Sequence, residues 1–223
     1  MSLVQAIVTE DFALVCGDTR SVNLDGSLSK DTYNKVIRLN KNIIFGVTGD
    51  VKDNFKLFDG FCYLHSIYGF VNSEQNFEDL SYNEFINVIS NRFTLMSDEH
   101  NSNENNVRYN IKSMIAGYNG KCFEVTCFLL VNDNTVSPCV RKLRTKSQNP
   151  CDIATLGYTI HDDNLKDFII EENPKTIRQY KNVLQSTFDI GMKNDKSINN
   201  ICHFETIRKC DILNGRMDNN KSL

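Results

Sequence analysis

The sequence has no excess of basic residues, no long apolar run and no paired-cysteine motif. Its 25 Lys and Arg residues are outnumbered by 28 Asp and Glu residues, for a formal net charge of −3. A chain of this charge has no electrostatic attraction to nucleic acid or anionic membranes, and we expect neither as a partner. No segment approaches the roughly 20 apolar residues of a membrane-spanning helix, and the N-terminus has no signal-peptide pattern. We therefore expect a cytoplasmic protein.

The eight cysteines include no Cys-x-x-Cys pair, and no histidine lies at metal-ligand spacing from them. Zinc sites and redox motifs depend on such spacings. We expect reduced cysteines in the core, as is usual in the cytosol. The sequence accordingly predicts no metal site and no other cofactor.

The length of the chain suits one hydrophobic core. With 223 residues, 40% of them hydrophobic, a single domain over 1–223 is favoured over two small ones. No internal repeat is visible. The one low-complexity segment, SDEHNSNENNVR at 97–108, predicts a surface loop, and the polar C-terminal segment from about Asn214 is predicted to be frayed.

Apolar, β-branched-rich runs predict strands in both halves of the chain. A Tyr-Asn-Gly turn inside YNIKSMIAGYNGKCFEVTCFLLV, starting at Tyr109, is typical of a tight hairpin between two of them. The other predicted strands lie at 3–8, 12–16, 35–39, 42–47, 136–143 and 151–158. The first two of these are predicted to form one hairpin, and the strands at 35–39 and 42–47 another.

Helical periodicity is present at 51–68 and 85–93, between the two groups of strands, and again at 175–190, after the last predicted strand. The chain therefore reads as strands, helices, strands, helices. This order favours an α+β layered sandwich over alternating βαβ units.

The N-terminus, MSLVQAIVTEDFALVCGDTR, carries a serine directly after the initiator methionine. If Met1 is removed, Ser2 has both a hydroxyl and a free α-amine, which together supply a nucleophile and its base. Sixteen positions later, Asp18 and Arg20 follow the second predicted strand.

These residues resemble the proteasome β-subunit superfamily of N-terminal-nucleophile hydrolases, especially its bacterial, HslV-like branch. Ser2 corresponds without a gap to the family nucleophile, and LVCGDTR to the signature that ends its second strand. NKVIRLNKNIIFGVTGDVKDNFKLFDGF resembles the family's lysine-bearing strand, glycine turn and first helix, and SMIAGYNGKCFEVT resembles its later glycine hairpin. The resemblance implies a four-layer αββα sandwich in a homo-oligomeric ring. It also implies peptide substrates, with an ATP-dependent unfoldase as a candidate partner.

A serine nucleophile needs a base close to its proton, and a neutral α-amine can serve. Lys35 is the candidate cation that lowers the pKa of this amine, and Asp18 would orient Lys35. The developing oxyanion needs a backbone N–H in an open turn, which GVTG supplies through Gly49, with Gly46 as the second choice.

The resemblance adds weaker candidates near the C-terminus. The family usually has a serine, which positions the α-amine, where this chain has Leu156, and Thr155 is the neighbouring hydroxyl. Asp195 and Ser197, in KNDKSIN, correspond to an acidic residue and a hydroxyl that precede the family's last strands.

Three functions remain open from the sequence. The first is a peptidase that forms a Ser2 acyl-enzyme inside a ring. The second is a proteasome-like scaffold subunit without catalytic activity, and the third is a small-molecule amidase on the same fold. The state of the N-terminus separates the first two, because a retained Met1 blocks the α-amine. Oligomeric state separates the third, because an amidase needs no chamber.

Overall fold

A computed structural model describes residues 3–22, 27–30, 34–49, 80–102, 111–130, 139–144, 151–157 and 161–219. The predicted helix at 51–68 lies outside these residues. The strands are β1 (Leu3–Val8), β2 (Phe12–Asp18), β3 (Ser21–Val22), β4 (Leu28–Lys30), β5 (Val36–Arg38), β6 (Ile43–Gly49), β7 (Ile111–Tyr118), β8 (Phe123–Leu130), β9 (Cys139–Arg144), β10 (Asp152–Gly157) and β11 (Cys202–Arg208). The described helices are α1 (Tyr82–Ser102), α2 (His161–Glu172), α3 (Ile177–Asn194) and α4 (Lys209–Asn219).

Two antiparallel sheets form the frame of the molecule. The first has the strand order β10-β1-β2-β11, and the second has the order β5-β6-β7-β8-β9. The three hairpins predicted from the sequence, β1–β2, β5–β6 and β7–β8, are all present. The predicted α+β class is thereby confirmed.

Strand β1 is buried along its whole length, because each of its faces packs against a different apolar cluster. One face contributes Val4 and Ala6 to a cluster that also contains Met114 and Val125 of the second sheet. The opposite face contributes to a cluster shared with α2 and α3, whose members include Leu3, Ile7, Leu165, Leu184 and Phe188. The start of β1 is therefore held from both sides.

Helix α1 belongs to a third apolar cluster, together with the second sheet. The Phe93 and Phe128 rings lie 5.3 Å apart, and the Phe45 and Phe85 rings lie 6.0 Å apart with their planes nearly perpendicular. Such offset and edge-to-face pairs are favourable arrangements of aromatic side chains. The periodic apolar residues that predict this helix are thus the ones that bind it to the sheet.

Helix α3 has well-defined ends. Thr176 and Gln179 form a reciprocal capping box at its start, which satisfies backbone N–H groups that no helical turn can reach. The N–H of Asp195 donates to the carbonyl oxygen of Gly191 at its end. Because the apolar face of α3 is packed against the first sheet, the segment that follows Asn194 begins at a defined position.

The sequence-based expectation of a surface loop at 97–108 is wrong in its first part. Residues 97–102, predicted as part of a surface loop, continue α1 to Ser102. These residues contain neither glycine nor proline. A helix that begins with the buried residues of α1 therefore continues through them, although they are polar. At the C-terminus, α4 extends to Asn219, and the buried Ile212 attaches that helix to the cluster between the sheets. Fraying of the segment from about residue 214 stays a prediction.

Four further elements, β3, β4, α2 and β11, were not predicted from the sequence. They lack the long periodic pattern that marks the predicted elements. None of the described helices is long and apolar enough to cross a membrane.

Gly17 is needed where β2 passes close to the chain entering β5. A Cβ at this position would lie 2.9 Å from Val36 Cγ2 and 3.3 Å from Lys35 Cβ. We expect Gly17→Ala to lower the free energy of unfolding by about 1–3 kcal/mol, because the core must shift to admit the methyl group. Denaturant unfolding measures this loss.

Gly191→Ala is the matched control for that substitution. Its Cβ would lie 3.5 Å from Ile198 Cδ1 and 3.5 Å from Leu3 Cδ2, which is ordinary van der Waals contact. Gly191 lies within α3, where alanine is favoured over glycine by about 0.5–1 kcal/mol. Equal effects of the two substitutions would contradict the role assigned to Gly17.

Candidate functional site

Asp18 and Lys35 form a buried ion pair that joins the end of β2 in the first sheet to the residue before β5 in the second. Asp18 is the last residue of β2, and Lys35 directly precedes β5. Lys35 Nζ lies 2.7 Å from Asp18 Oδ2, and the two side chains are 2% and 0% exposed. Lys35 Nζ also donates to the carbonyl oxygen of Arg20 at 2.5 Å. The ammonium group is thus held by a carboxylate and by the turn that follows it.

The Asp18 carboxylate also holds the beginning of β1. The N–H of Leu3 donates to Asp18 Oδ1 at 2.8 Å, and the N–H of Arg20 donates to Asp18 Oδ2 at 3.1 Å. A carboxylate that accepts from two backbone N–H groups and an ammonium group has most of its acceptor positions filled. Asp18 therefore joins the N-terminal strand to Lys35.

Burial changes the proton affinity of both partners. It lowers the pKa of Lys35 from its ordinary value, against the opposing effect of the Asp18 carboxylate. It raises the pKa of Asp18, against the opposing effects of Lys35 and of the Leu3 N–H. Perturbed, buried ionisable pairs of this kind are common at functional sites.

The two glycines of GVTG occupy different environments. Gly46 lies in the middle of β6, where a Cβ would be 2.9 Å from Val4 Cγ1 of the first sheet. Its lack of a side chain allows the two sheets to approach. Gly49 is the last residue of β6 and lies opposite Ile111. Of the two, Gly49 is at the strand end, where a backbone N–H can be free for a ligand.

Asp195 and Ser197 interact directly with each other. Ser197 donates to Asp195 Oδ1 from its hydroxyl at 2.6 Å and from its N–H at 2.8 Å. Burial alone would raise the pKa of Asp195, but these hydrogen bonds and the Lys35 cation hold the pKa below its ordinary value. The other oxygen, Asp195 Oδ2, is buried without a hydrogen-bond partner in the described part of the chain.

The segment containing Asp195 and Ser197 lies against the turn after Asp18. Arg20 Nη1 donates to the carbonyl oxygen of Lys196 at 2.9 Å. The N–H of Thr19 donates to Asn199 Oδ1 at 3.0 Å. The structure therefore brings the Asp195–Ser197 pair to the same region as the Asp18–Lys35 pair.

The sequence and this geometry can be compared with known proteins. The model of one family, described as "Proteasome subunit", matches residues 3–121, which is more than half of the chain. The chain belongs to the proteasome subunit family. It is thus a proteasome-β-like member of the N-terminal-nucleophile hydrolases, as the resemblance predicts. A comparison with curated proteins gives no significant match.

Membership of the proteasome subunit family has a consequence for assembly. Subunits of this family generally form oligomeric rings, which supports self-association of this chain. The matched residues include Asp18, Lys35, Gly46 and Gly49, but the segment with Asp195 and Ser197 lies beyond them. That segment is connected to the site by its contacts in the structure.

Thr155 is not brought to the ion pair of this proteasome-like subunit. It lies opposite Gln5 in the pairing of β10 with β1, two residues beyond the Leu3 amide. Its hydroxyl has no hydrogen-bond partner among the residues described. Leu156, at the position of the family's serine, is opposite Val4 and buried in the cluster between the sheets.

Ser2, the predicted nucleophile, lies outside the described residues. Sequence reasoning missed Thr19 and Asn199, which are 180 residues apart in the chain and form a hydrogen-bonded pair. No local pattern marks such a pair. In the described ranges, no group of three or more His, Cys, Asp or Glu side chains could hold a metal ion.

Proposed function

We propose that this proteasome-like subunit is a peptidase that hydrolyses peptide bonds through a Ser2 acyl-enzyme. The observation that carries the proposal is the buried Asp18–Lys35 pair with the Leu3 N–H on Asp18. Ser2 is joined directly to Leu3, so their Cα atoms are about 3.8 Å apart. A fixed cation and a free α-amine would then share one small region.

The proposed reaction has two steps, which are acylation of Ser2 and hydrolysis of the acyl-enzyme. Ser2 Oγ attacks the substrate carbonyl carbon while its proton moves to the Ser2 α-amine, whose pKa is about 7.7–8.0 in model compounds. The tetrahedral oxyanion accepts a hydrogen bond from the Gly49 N–H. Collapse breaks the C–N bond, and the leaving amine takes the proton from the α-amine. Water then attacks the ester, which releases the acid product and restores Ser2.

Lys35 and the Asp195–Ser197 pair have supporting roles in this scheme. The Lys35 ammonium disfavours a second positive charge nearby and so lowers the pKa of the α-amine, which keeps more of it neutral. Asp18 orients the ammonium group. Asp195 Oδ2, which has no hydrogen-bond partner among the described residues, is an acceptor suited to orienting the α-amine. Thr155 has no role in this scheme.

We also infer the four-layer αββα arrangement and one domain over the whole chain. Support comes from three apolar clusters, one containing residues of both sheets and the other two combining a sheet with helices. A cytoplasmic location, peptide substrates and an ATP-dependent unfoldase partner belong to the same proposal.

A scaffold subunit without catalytic activity is the second candidate. The observation that favours it is Leu156, an apolar residue packed between the sheets where the family usually has the serine that positions the α-amine. Such a subunit would keep the ion pair as part of the fold. A small-molecule amidase is the third candidate, and the ring assembly that is general in the family argues against it.

Intact mass spectrometry and covalent labelling together test the proposal. We expect untagged protein to lack Met1 and to gain one equivalent of an electrophilic peptide inhibitor per chain, attached to Ser2. Ser2→Ala should take up none. If protein with a free Ser2 amine is neither labelled nor able to cleave any member of a broad peptide library, the scaffold function stands instead.

Ring assembly gives a separate prediction. Sedimentation velocity on untagged protein at micromolar concentration should show a closed homo-oligomer, because family subunits assemble in this way. The same experiment on Ser2→Ala should give the same species, since a chain terminus that acts in catalysis need not support assembly. A clean monomer would contradict the ring and favour the amidase.

A further inference from the structure

We propose that Asn199 is a positioning residue that holds the turn after Asp18 in the geometry which the Lys35 ammonium requires. The inference rests on the proposed function for its catalytic consequence. Its structural basis is the contact between two segments at opposite ends of the chain. Asn199 belongs to the segment that follows α3, and the turn follows β2.

Asn199 makes a two-way contact with Thr19. Its Oδ1 accepts from the Thr19 N–H at 3.0 Å, and its Nδ2 donates to Thr19 Oγ1 at 3.1 Å. The Thr19 N–H also lies 3.2 Å from the carbonyl oxygen of Ile201. Asn199 is 3% exposed, so these hydrogen bonds are made away from water.

The chemistry of the contact explains why the residue is an asparagine. The contact needs an acceptor for a backbone N–H and a donor for a hydroxyl oxygen, and a carboxamide provides both on one rigid group. An aliphatic side chain would leave the Thr19 groups without this partner. An ionised aspartate would keep the acceptor, lose the donor, and place a negative charge near Asp18.

The turn held by Asn199 supplies the two acceptors that the Lys35 ammonium has among the described residues. Asp18 precedes Thr19 and Arg20 follows it, and Lys35 Nζ donates to Asp18 Oδ2 and to the Arg20 carbonyl oxygen. A shift of Thr19 would therefore move both acceptors together. Because Asp18 Oδ1 accepts from the Leu3 N–H, the same shift would loosen the start of β1.

Asn199→Ala tests the inference, with Asn200→Ala as the matched control. Asn200 is the next residue, its side chain is exposed, and its contact with Gln185 uses its backbone carbonyl oxygen, which alanine retains. Hydrogen exchange is measured at the Leu3 amide and at the Ala6 amide in the interior of β1. The rate constant for acylation by an electrophilic peptide and the affinity of its initial complex are measured separately.

In Asn199→Ala we expect exchange at Leu3 to be faster by about tenfold or more while Ala6 is unchanged, because the loss is local. The acylation rate constant should fall by about 10- to 100-fold at unchanged initial affinity, since only the positioning of the reacting groups changes. Asn200→Ala should match wild type in both measurements.

Three results would overturn the inference: unchanged exchange at Leu3, equal acceleration at Leu3 and Ala6, or weakened initial affinity with an unchanged acylation rate constant. If wild-type protein with a free Ser2 amine is not acylated, the proposed function fails. The hydrogen-exchange rates at the Leu3 and Ala6 amides then decide, without the acylation measurement, whether Asn199 holds the turn.

Discussion

Lys35→Ala should abolish nearly all peptide turnover, by about 10²- to 10⁴-fold, the range usual for loss of one group in proton transfer. The ammonium group lies 2.7 Å from Asp18 Oδ2 and is buried, so water cannot replace its charge at low cost. Without it, the α-amine assigned as the base would hold its proton more tightly. The measurement is kcat/KM for a fluorogenic peptide, on protein whose free Ser2 amine has been confirmed by mass.

Comparison with Ser2→Ala tests whether the loss of turnover in Lys35→Ala arises from the proposed proton transfer. Both residues are assigned to one proton-transfer task, so the double variant should be hardly slower than either single variant. Lys41→Ala is the control, because Lys41 is an exposed lysine in the turn between β5 and β6. Multiplicative losses in the double variant, or a comparable loss in Lys41→Ala, would refute the assignment.

Asp18→Ala should destabilise the fold by about 3–5 kcal/mol, the cost usual for leaving one partner of a buried ion pair uncompensated. It leaves the Lys35 ammonium buried without its carboxylate partner and removes the acceptor of the Leu3 N–H. Ser2→Ala, at the chain terminus, should leave the free energy of unfolding unchanged. Denaturant unfolding of each variant measures these differences.

Asp18→Asn distinguishes the loss of stability caused by the missing charge from the loss caused by missing hydrogen bonds. The amide keeps an oxygen that can accept from the Leu3 N–H but no longer balances Lys35. The double variant Asp18→Asn/Lys35→Met removes both charges and should regain most of the stability without regaining turnover. If the double variant is as unstable as Asp18→Asn, an unpaired lysine charge is not the cause of the loss.

The instability of Asp18→Asn should also depend on pH. Burial already lowers the pKa of Lys35 in the folded protein, and loss of the carboxylate removes the main opposing effect. The unfolded chain then binds more protons than the folded one between the lowered pKa and the ordinary value of about 10.4, so stability rises with pH in that window. The deficit relative to wild type should therefore shrink from pH 7 toward pH 10.

The parts of the candidate site that follow a local sequence signature could be predicted from the sequence. Asp18 lies at the end of a strand whose apolar residues are evident, and Lys35 precedes another such strand. The family resemblance then assigns them to one site, and the structure places them 2.7 Å apart. Thr155 shows what neighbouring residues do not determine, because its place opposite Gln5 follows from the register of β10 against β1.

The sequence by itself determined the three early hairpins, the α+β class and the identity of the ion pair, because strand periodicity, turn residues and signature motifs are properties of neighbouring residues. Only the tertiary structure decided that Gly46 allows the two sheets to approach each other while Gly49 ends a strand, and that Asn199 holds Thr19. The physical reason is that such contacts depend on strand register and on the packing of α3 against the first sheet. Thr19 and Asn199 are 180 positions apart, and no pattern among neighbouring residues indicates that they are in contact.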